Sequence, residues 1–320
     1  MSRFPNSVVV VAVTPYRTGV SPVVTRAPVR VPNLSRQISP SRTTIVLVRM
    51  RVRMKYCRFQ DDRGEHYGLV ESVTGQEKIT RLLVSAPEEI GGEMEDLRTK
   101  RIDHISLKEA TLLPPVRPSK IVCVGRNYRE HAAELGNEVP AEPLLFFKPT
   151  SSLNAPGGTI RRPRISSRTD YEGELGVVIA KTCYKLDEAE DVRPYILGYT
   201  CVNDFTARDL QKKDNQWTRA KGFDTFCPVG PVVTDEIDPW AGVGVRTTVN
   251  DEVRQDGNTR DFIFSLDVVL RYIAQVMTLF PGDLIATGTP QGVGPALGGD
   301  VIAVSVEGVG TLLNPLADEP

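Results

Sequence analysis

The chain has 320 residues, 40% of them hydrophobic and 25% charged, with a formal net charge of −1. Such a balance gives no field to steer nucleic acid or an anionic membrane surface, and no apolar run approaches the roughly 18 residues needed to cross a bilayer. The abundance of glycine (26) and proline (24) suits a loop-rich, strand-rich fold more than a helical bundle.

Residues 1–53 do not match the rest. No Asp or Glu occurs before Asp61, while Arg recurs from Arg3 to Arg53 among Ser, Thr, Pro and Val. That composition is transit-like, yet Pro5, Pro15, Pro22, Pro28 and Pro32 would break an amphipathic helix. A disordered tail, or a start-site artefact with translation beginning at Met54, is the favoured reading, because composition alone is a weak signal. The compartment reads as cytoplasmic, or mitochondrial if the segment is a true transit peptide. Cys57, Cys123, Cys183, Cys201 and Cys227 contain no C-x-x-C pair, so they read as small buried hydrophobes in a reducing compartment.

Residues 54–114 read as a small β-rich unit. Tyr67–Val70 and Leu82–Val84 are strand-like, Gly91-Gly92 is a turn, and Pro114, Pro115 and Pro118 mark a linker. Residues 115–320 form the larger region. Short apolar runs at Ile121–Val124, Leu175–Ala180, Tyr199–Val202, Pro231–Val233, Val245–Val249, Leu284–Ala286 and Val301–Val306 predict strands. Val249–Glu252 predicts a hairpin turn. Helices are predicted over Arg129–Leu135, stopped by Gly136, and over Asp261–Leu279, stopped by Pro281-Gly282. The fold class is α+β, mainly β.

The strongest chemical signal is Glu172-Gly173-Glu174 ahead of an apolar strand. Alternation places both carboxylates on one face, where they repel unless a cation lies between them. E-x-E alone is usually a solvent-facing strand edge. Asp204, ending the strand Tyr199–Asn203, adds a third carboxylate. Three carboxylates without His or Cys favour Mg²⁺, Mn²⁺ or Ca²⁺ over zinc or copper. His131 and Glu134 are three apart on the short helix, an arrangement that is either a surface pair or a carboxylate-steered general base. Of the three histidines, His66 and His104 fall outside the larger region, leaving His131 for that task. Lys148 in an apolar setting, Arg208 and Lys221 are either solvated charges or partners of a dianionic substrate. Thr287–Gly294 resembles a tight donor loop but lacks the phosphate-loop pattern.

Taken in order, GRNYREHAAE, FFKP, DYEGELGVVI, GYTCVNDFTARDLQ, WTRAKGFDTFCPVGP and GDLIATGTPQGVG resemble the motifs of the fumarylacetoacetate hydrolase family, over about Met54 to Leu313. The resemblance implies a mixed β-roll catalytic domain, usually dimeric, behind a small N-terminal β domain. It implies Mg²⁺ or Mn²⁺ on Glu172, Glu174 and Asp204, and a water-activating dyad of His131 and Glu134 on a mobile lid helix, with Lys221 also catalytic. Arg126, Lys148, Arg208, Gln211, Thr287 and Gly288 would contact a small 2-oxo acid substrate.

The expected activity is hydrolysis of a C–C bond in an acylpyruvate or 2,4-dioxo acid through a metal-stabilised enolate. The same enolate would serve an isomerase of aromatic catabolism, of the 2-hydroxyhepta-2,4-diene-1,7-dioate type, or an oxaloacetate decarboxylase. A calcium-binding β module would explain the carboxylates but not the His131–Glu134 pair. Because residues 1–53 lack core-forming periodicity, a chain beginning at Met54 is expected to match the full chain in melting temperature and turnover. A large drop in either on truncation would contradict this.

Overall fold

The computed structural model describes residues 53–90, 98–134 and 138–320. The Gly91-Gly92 turn, Leu135 and Gly136 therefore lie outside the described residues, as does the first segment up to Val52.

In chain order, the first strands are β1 (Lys55–Asp61), β2 (Gly64–Val73), β3 (Gln76–Leu83), β4 (Thr99–Ser106) and β5 (Thr111–Leu113). Next come β6 (Ile121–Gly125), helix α1 (Arg129–Glu134), β7 (Leu144–Lys148), β8 (Leu153–Asn154), β9 (Ile160–Arg162), β10 (Thr169–Tyr171) and β11 (Gly173–Ile179). They are followed by β12 (Ile196–Asn203), β13 (Thr206–Ala207), α2 (Arg208–Lys213), α3 (Thr218–Lys221), β14 (Cys227–Thr234), β15 (Gly244–Val249) and β16 (Glu252–Asn258). The chain closes with α4 (Leu266–Val276), β17 (Leu284–Ala286), β18 (Gly294–Pro295), β19 (Val301–Val306) and β20 (Gly310–Asp318).

A twelve-stranded sheet runs β4-β3-β2-β1-β14-β12-β11-β17-β6-β7, with β5 on β1 and β8 on β14. A five-stranded sheet, β16-β15-β19-β20-β9, and a three-stranded one, β13-β10-β18, complete it. The architecture is mainly β within the α+β class. Strand β1 pairs with β14, Lys55 opposite Thr234, so residues 54–114 share their large sheet with the region that follows. Arg53–Pro320 accordingly form one compact unit.

The apolar runs are continuous because both faces of the central strands are covered. On β11, Leu175, Val177 and Ile179 enter one core cluster, while Val178 enters another. Period-2 alternation sends neighbours to opposite faces, and a strand buried on both reads as unbroken apolar sequence. The predicted hairpin is present: Asn250 and Asp251 both have positive φ (51° and 65°), the conformation a two-residue I′ turn needs, between β15 and β16.

The long helix is shorter than its apolar periodicity suggests. Thr259–Asp261 form a 3₁₀ turn, the Ser265 hydroxyl accepts from the Val268 N–H at 3.5 Å, and α4 begins only at Leu266. It stops when Met277 turns extended and Leu279 bridges to Cys183. Leu266, Val269, Leu270, Ile273 and Ala274 are buried, the stripe of a helix docked by one face. All five cysteines are free and buried. Among the described residues, no helix is long and apolar enough to cross a membrane.

Ile273 is fully buried in the cluster that β11 shares with α4. Ile273→Ala is expected to cost about 2–5 kcal/mol in denaturant unfolding, the range for emptying a core aliphatic position. A loss below about 1 kcal/mol would show that α4 is not docked as described.

Candidate active site

The site is built where β11 and β12 begin and end side by side. Gly173 pairs with Asn203 and Glu174 with Val202. Glu172, one residue before β11, and Asp204, one residue after β12, are therefore neighbours, tied by the Asp204 N–H donating to the Glu172 carbonyl at 2.8 Å. Asn203 adds a second tie, its Oδ1 accepting from the Glu172 N–H at 3.0 Å. One carboxylate oxygen from each of Glu172, Glu174 and Asp204 lies within 4.8 Å of the others, and all three residues are buried.

Buried like charges must be compensated. Lys221 Nζ donates to Glu172 Oε2 at 2.7 Å and to Asp204 Oδ2 at 2.5 Å. Lys148 Nζ donates to Asp204 Oδ1 at 2.7 Å and to the Phe205 carbonyl at 3.1 Å. Arg208 donates through Nη2 to Glu172 and through Nε to Asp170 at 2.9 Å. Arg168 closes the chain on the other edge of Asp170. Lys148, Lys221 and Arg208 are all buried, so they belong to this network.

The acidities follow. Burial raises Glu172, but Lys221, Arg208 and His131 outweigh it and hold the carboxyl well below its ordinary range. Burial lowers Lys221 and Arg208, yet Asp204 and Glu172 push Lys221 up, and Glu172 and Asp170 push Arg208 up. Glu174 behaves oppositely. Burial drives its carboxyl well above the ordinary range, and the charges of Asp204 and Glu172 add to the shift. Its Oε2 accepts from the Gly288 N–H at 2.8 Å, but among the described residues no Lys or Arg pairs with it.

This donor set fits a hard divalent cation. It offers three carboxylates and no soft ligand, and the one carboxylate that no Lys or Arg hydrogen-bonds among the described residues is the one whose charged form is most disfavoured.

A cavity of about 230 Å³ opens onto the triad. Arg126, His131, Arg208, Gln211 and Lys221, all candidates from the sequence, are among the residues that line it. Phe146 and Trp217, edge to face at 5.2 Å, supply an apolar wall that the sequence reading did not single out. The donor loop is divided differently from expectation. Thr287 turns its hydroxyl back to the Leu175 carbonyl at 2.8 Å, and Gly288 serves Glu174; Thr289 is the threonine that lines the cavity.

The segment carrying Arg126 and His131 is pinned by Asn127. Its Nδ2 donates to the carbonyls of Phe264 and Thr287, at 3.2 and 2.8 Å, and its Oδ1 accepts from the Phe264 N–H at 2.8 Å. That anchorage holds Arg126 at φ 58°, a left-handed conformation costing on the order of 1–3 kcal/mol. Gly288, at φ 100°, must lack a Cβ, which would meet the Asn127 Cβ at 2.7 Å. His131 Nδ1 is 3.4 Å from Glu134 Oε2, and Glu134 also accepts from the Gly292 N–H at 3.1 and 3.2 Å. The short helix is thus tied at its far end to the Thr287–Gly294 loop.

The family model for the fumarylacetoacetate (FAA) hydrolase C-terminal region matches residues 120–317. The chain belongs to the fumarylacetoacetate hydrolase family.

It is 46% identical over 198 residues to an oxaloacetate decarboxylase, mitochondrial, of Dictyostelium discoideum (60% of this chain, 90% of that one). It is 36% identical over 272 residues to a 2,4-didehydro-3-deoxy-L-rhamnonate hydrolase of a Sphingomonas species (81% and 94%). The crystal structure of a 2-hydroxyhepta-2,4-diene-1,7-dioate isomerase from Mycobacterium marinum superposes with a TM-score of 0.73 at 39% identity, covering 83% of this chain and 99% of that one. Three reaction types thus occur among its relatives.

Glu174→Gln tests the metal assignment. Between the ordinary glutamate pKa of about 4.3 and the raised folded value, the fold keeps a proton that the unfolded chain releases. Metal-free stability therefore falls as pH rises through that window. The glutamine should remove this penalty, leaving metal-free protein at least as stable at pH 7 while Mg²⁺ or Mn²⁺ no longer raises its melting temperature. Undiminished metal stabilisation in the variant would contradict the assignment.

Proposed function

We propose that the protein is a divalent-metal-dependent hydrolase that cleaves a C–C bond in an acylpyruvate or related 2,4-dioxo acid. The observation that carries the reading is His131, buried in the wall of the cavity that holds the three carboxylates and within reach of Glu134. Burial lowers its pKa below the ordinary value, against the opposing charges of Glu172 and Glu134, so the imidazole is neutral at pH 7. The tautomer that donates from Nδ1 to Glu134 leaves Nε2 as the base.

Glu172, Glu174 and Asp204 would hold Mg²⁺ or Mn²⁺. When bound, the cation supplies electrophilic stabilisation of the negative charge that develops on the 2-oxo acid. His131 takes a proton from water, and the resulting hydroxide attacks the C4 carbonyl. The C3–C4 bond then breaks, its electron pair passing to the pyruvate fragment as an enolate, which is protonated at C3 by the imidazolium. Lys221 and Lys148 fix the carboxylates and keep positive charge beside them. Arg208 is committed to Asp170 and Glu172, so its role is to orient Glu172 as well as to face the cavity.

A second reading, oxaloacetate decarboxylation or keto–enol exchange, is favoured by the 46%-identical decarboxylase and by a 41%-identical oxaloacetate tautomerase of Bacillus subtilis. It needs the enolate but no attacking water.

His131→Ala separates the two. Hydrolysis of acylpyruvates should fall by roughly 10²–10⁴-fold, the worth of a general base. Oxaloacetate decarboxylation should fall much less, with metal affinity near wild type. Equal losses in both reactions with metal binding intact would mean that His131 shapes the cavity and is not the base.

A further inference from the structure

Two cations of the cavity differ from the other two. Arg208 and Lys221 are buried and paired with carboxylates, whereas Arg126 and Lys212 have no ion pair and no hydrogen bond among the described residues. Arg126 is half-buried and Lys212 exposed, so they mark the solvent side of a cavity whose inner end is the buried triad. Helix α2 sets the spacing. Arg208 and Lys212 are four residues apart on one helical face, which puts Lys212 about 6 Å further along the axis. Phe146 and Trp217 line the cavity too, offering apolar contact to a carbon chain.

We propose that Lys212, assisted by Arg126, is a specificity-determining residue that binds a second, distal carboxylate, so that the enzyme prefers 2-oxo acids that are dianions. The physical reason is complementarity. The inner cations are already neutralised by protein carboxylates, while the outer two have no counter-charge in the fold, and a carboxylate placed there gains charge-assisted hydrogen bonds. Helix α2 then measures the substrate, with Arg208 at the inner end and Lys212 one turn out. The inference rests on the 2-oxo acid reading above. It holds equally for a hydrolase acting on a carboxylated 2,4-dioxo acid and for a decarboxylase acting on a diacid.

Binding tests it without turnover. Calorimetry on Mg²⁺-loaded protein would compare 2-oxoglutarate with 2-oxopentanoate, the same chain without the distal carboxylate. Wild type should bind the dianion roughly tenfold or more tightly, the size of a charge-assisted hydrogen bond, and the advantage should shrink as salt rises. Lys212→Met should erase most of that preference and leave 2-oxopentanoate binding as it was. Lys213→Met, a charge deletion next door that does not line the cavity, should keep the preference. No preference in wild type, a preference retained in Lys212→Met, or equal weakening of both ligands would overturn the proposal. Failure of the reaction assignment reads out separately, as absent turnover with the dianion preference intact.

Discussion

Everything at this site follows from one constraint: four acidic side chains, Asp170, Glu172, Glu174 and Asp204, are buried together. Isolated, each would be costly to ionise in the protein interior. Their placement is fixed by strand register, because β11 and β12 pair so that Glu172 and Asp204 end up side by side. Lys148, Lys221 and Arg208 offset most of the charge, and Arg168 closes the far edge. Glu174 alone is left without a cationic partner among the described residues, and its carboxyl is the one driven up. The fold holds this arrangement ready, so substrate binding need not assemble it.

Around that cluster the packing is arranged to keep the inner end rigid. The backbone of Arg126 is held in a left-handed conformation by three hydrogen bonds of the Asn127 amide, and Gly288 clears the space that the Asn127 Cβ occupies. Gly288 also gives its N–H to Glu174, which links the carboxylate triad to the segment that carries His131. Gly292, at φ 93°, gives its own N–H to Glu134, and a Cβ there would fall 2.0 Å from the Arg254 carbonyl. Glu134, the neighbour of His131, and Glu174 are thus braced by the same loop, which suits the proposed reaction, in which proton transfer and charge stabilisation must be held in register.

Much of this was legible in the sequence, for reasons that can be named. E-x-E ahead of an apolar strand obeys period-2 alternation, so Glu172 and Glu174 had to share a face. An Asp just past a buried strand could join them if that strand paired with the first, as β12 does. The apolar runs gave seven of the fifteen strands from β6 to β20, among them β11, β12 and β17, which are buried along their whole length. The choice of Thr289 over Thr287 for the cavity was not legible, since both hydroxyls donate to backbone carbonyls of β11, Thr287 to Leu175 and Thr289 to Gly173, and only the folded loop sets which one borders the cavity. Nor was the wall of Phe146 and Trp217, which come from β7 and the start of α3 and meet only in the folded chain. The pairing of β1 with β14 joins residues about 180 positions apart, beyond any local pattern. Asp170 was hidden for a similar reason: only the arrival of Arg208 and Arg168 gives it a task.

Membership in the fumarylacetoacetate hydrolase family leaves the reaction open, because hydrolase, decarboxylase and isomerase all occur among the relatives. What the reactions have in common is negative charge beside a carboxylate, and under the proposed function the triad and its cations would answer that need. The most direct measurement of this account is an anomalous difference map from crystals equilibrated with Mn²⁺. The account requires one strong peak per chain among the carboxylates of Glu172, Glu174 and Asp204, lost in Glu174→Ala. No peak there, or one elsewhere in the chain, would contradict it.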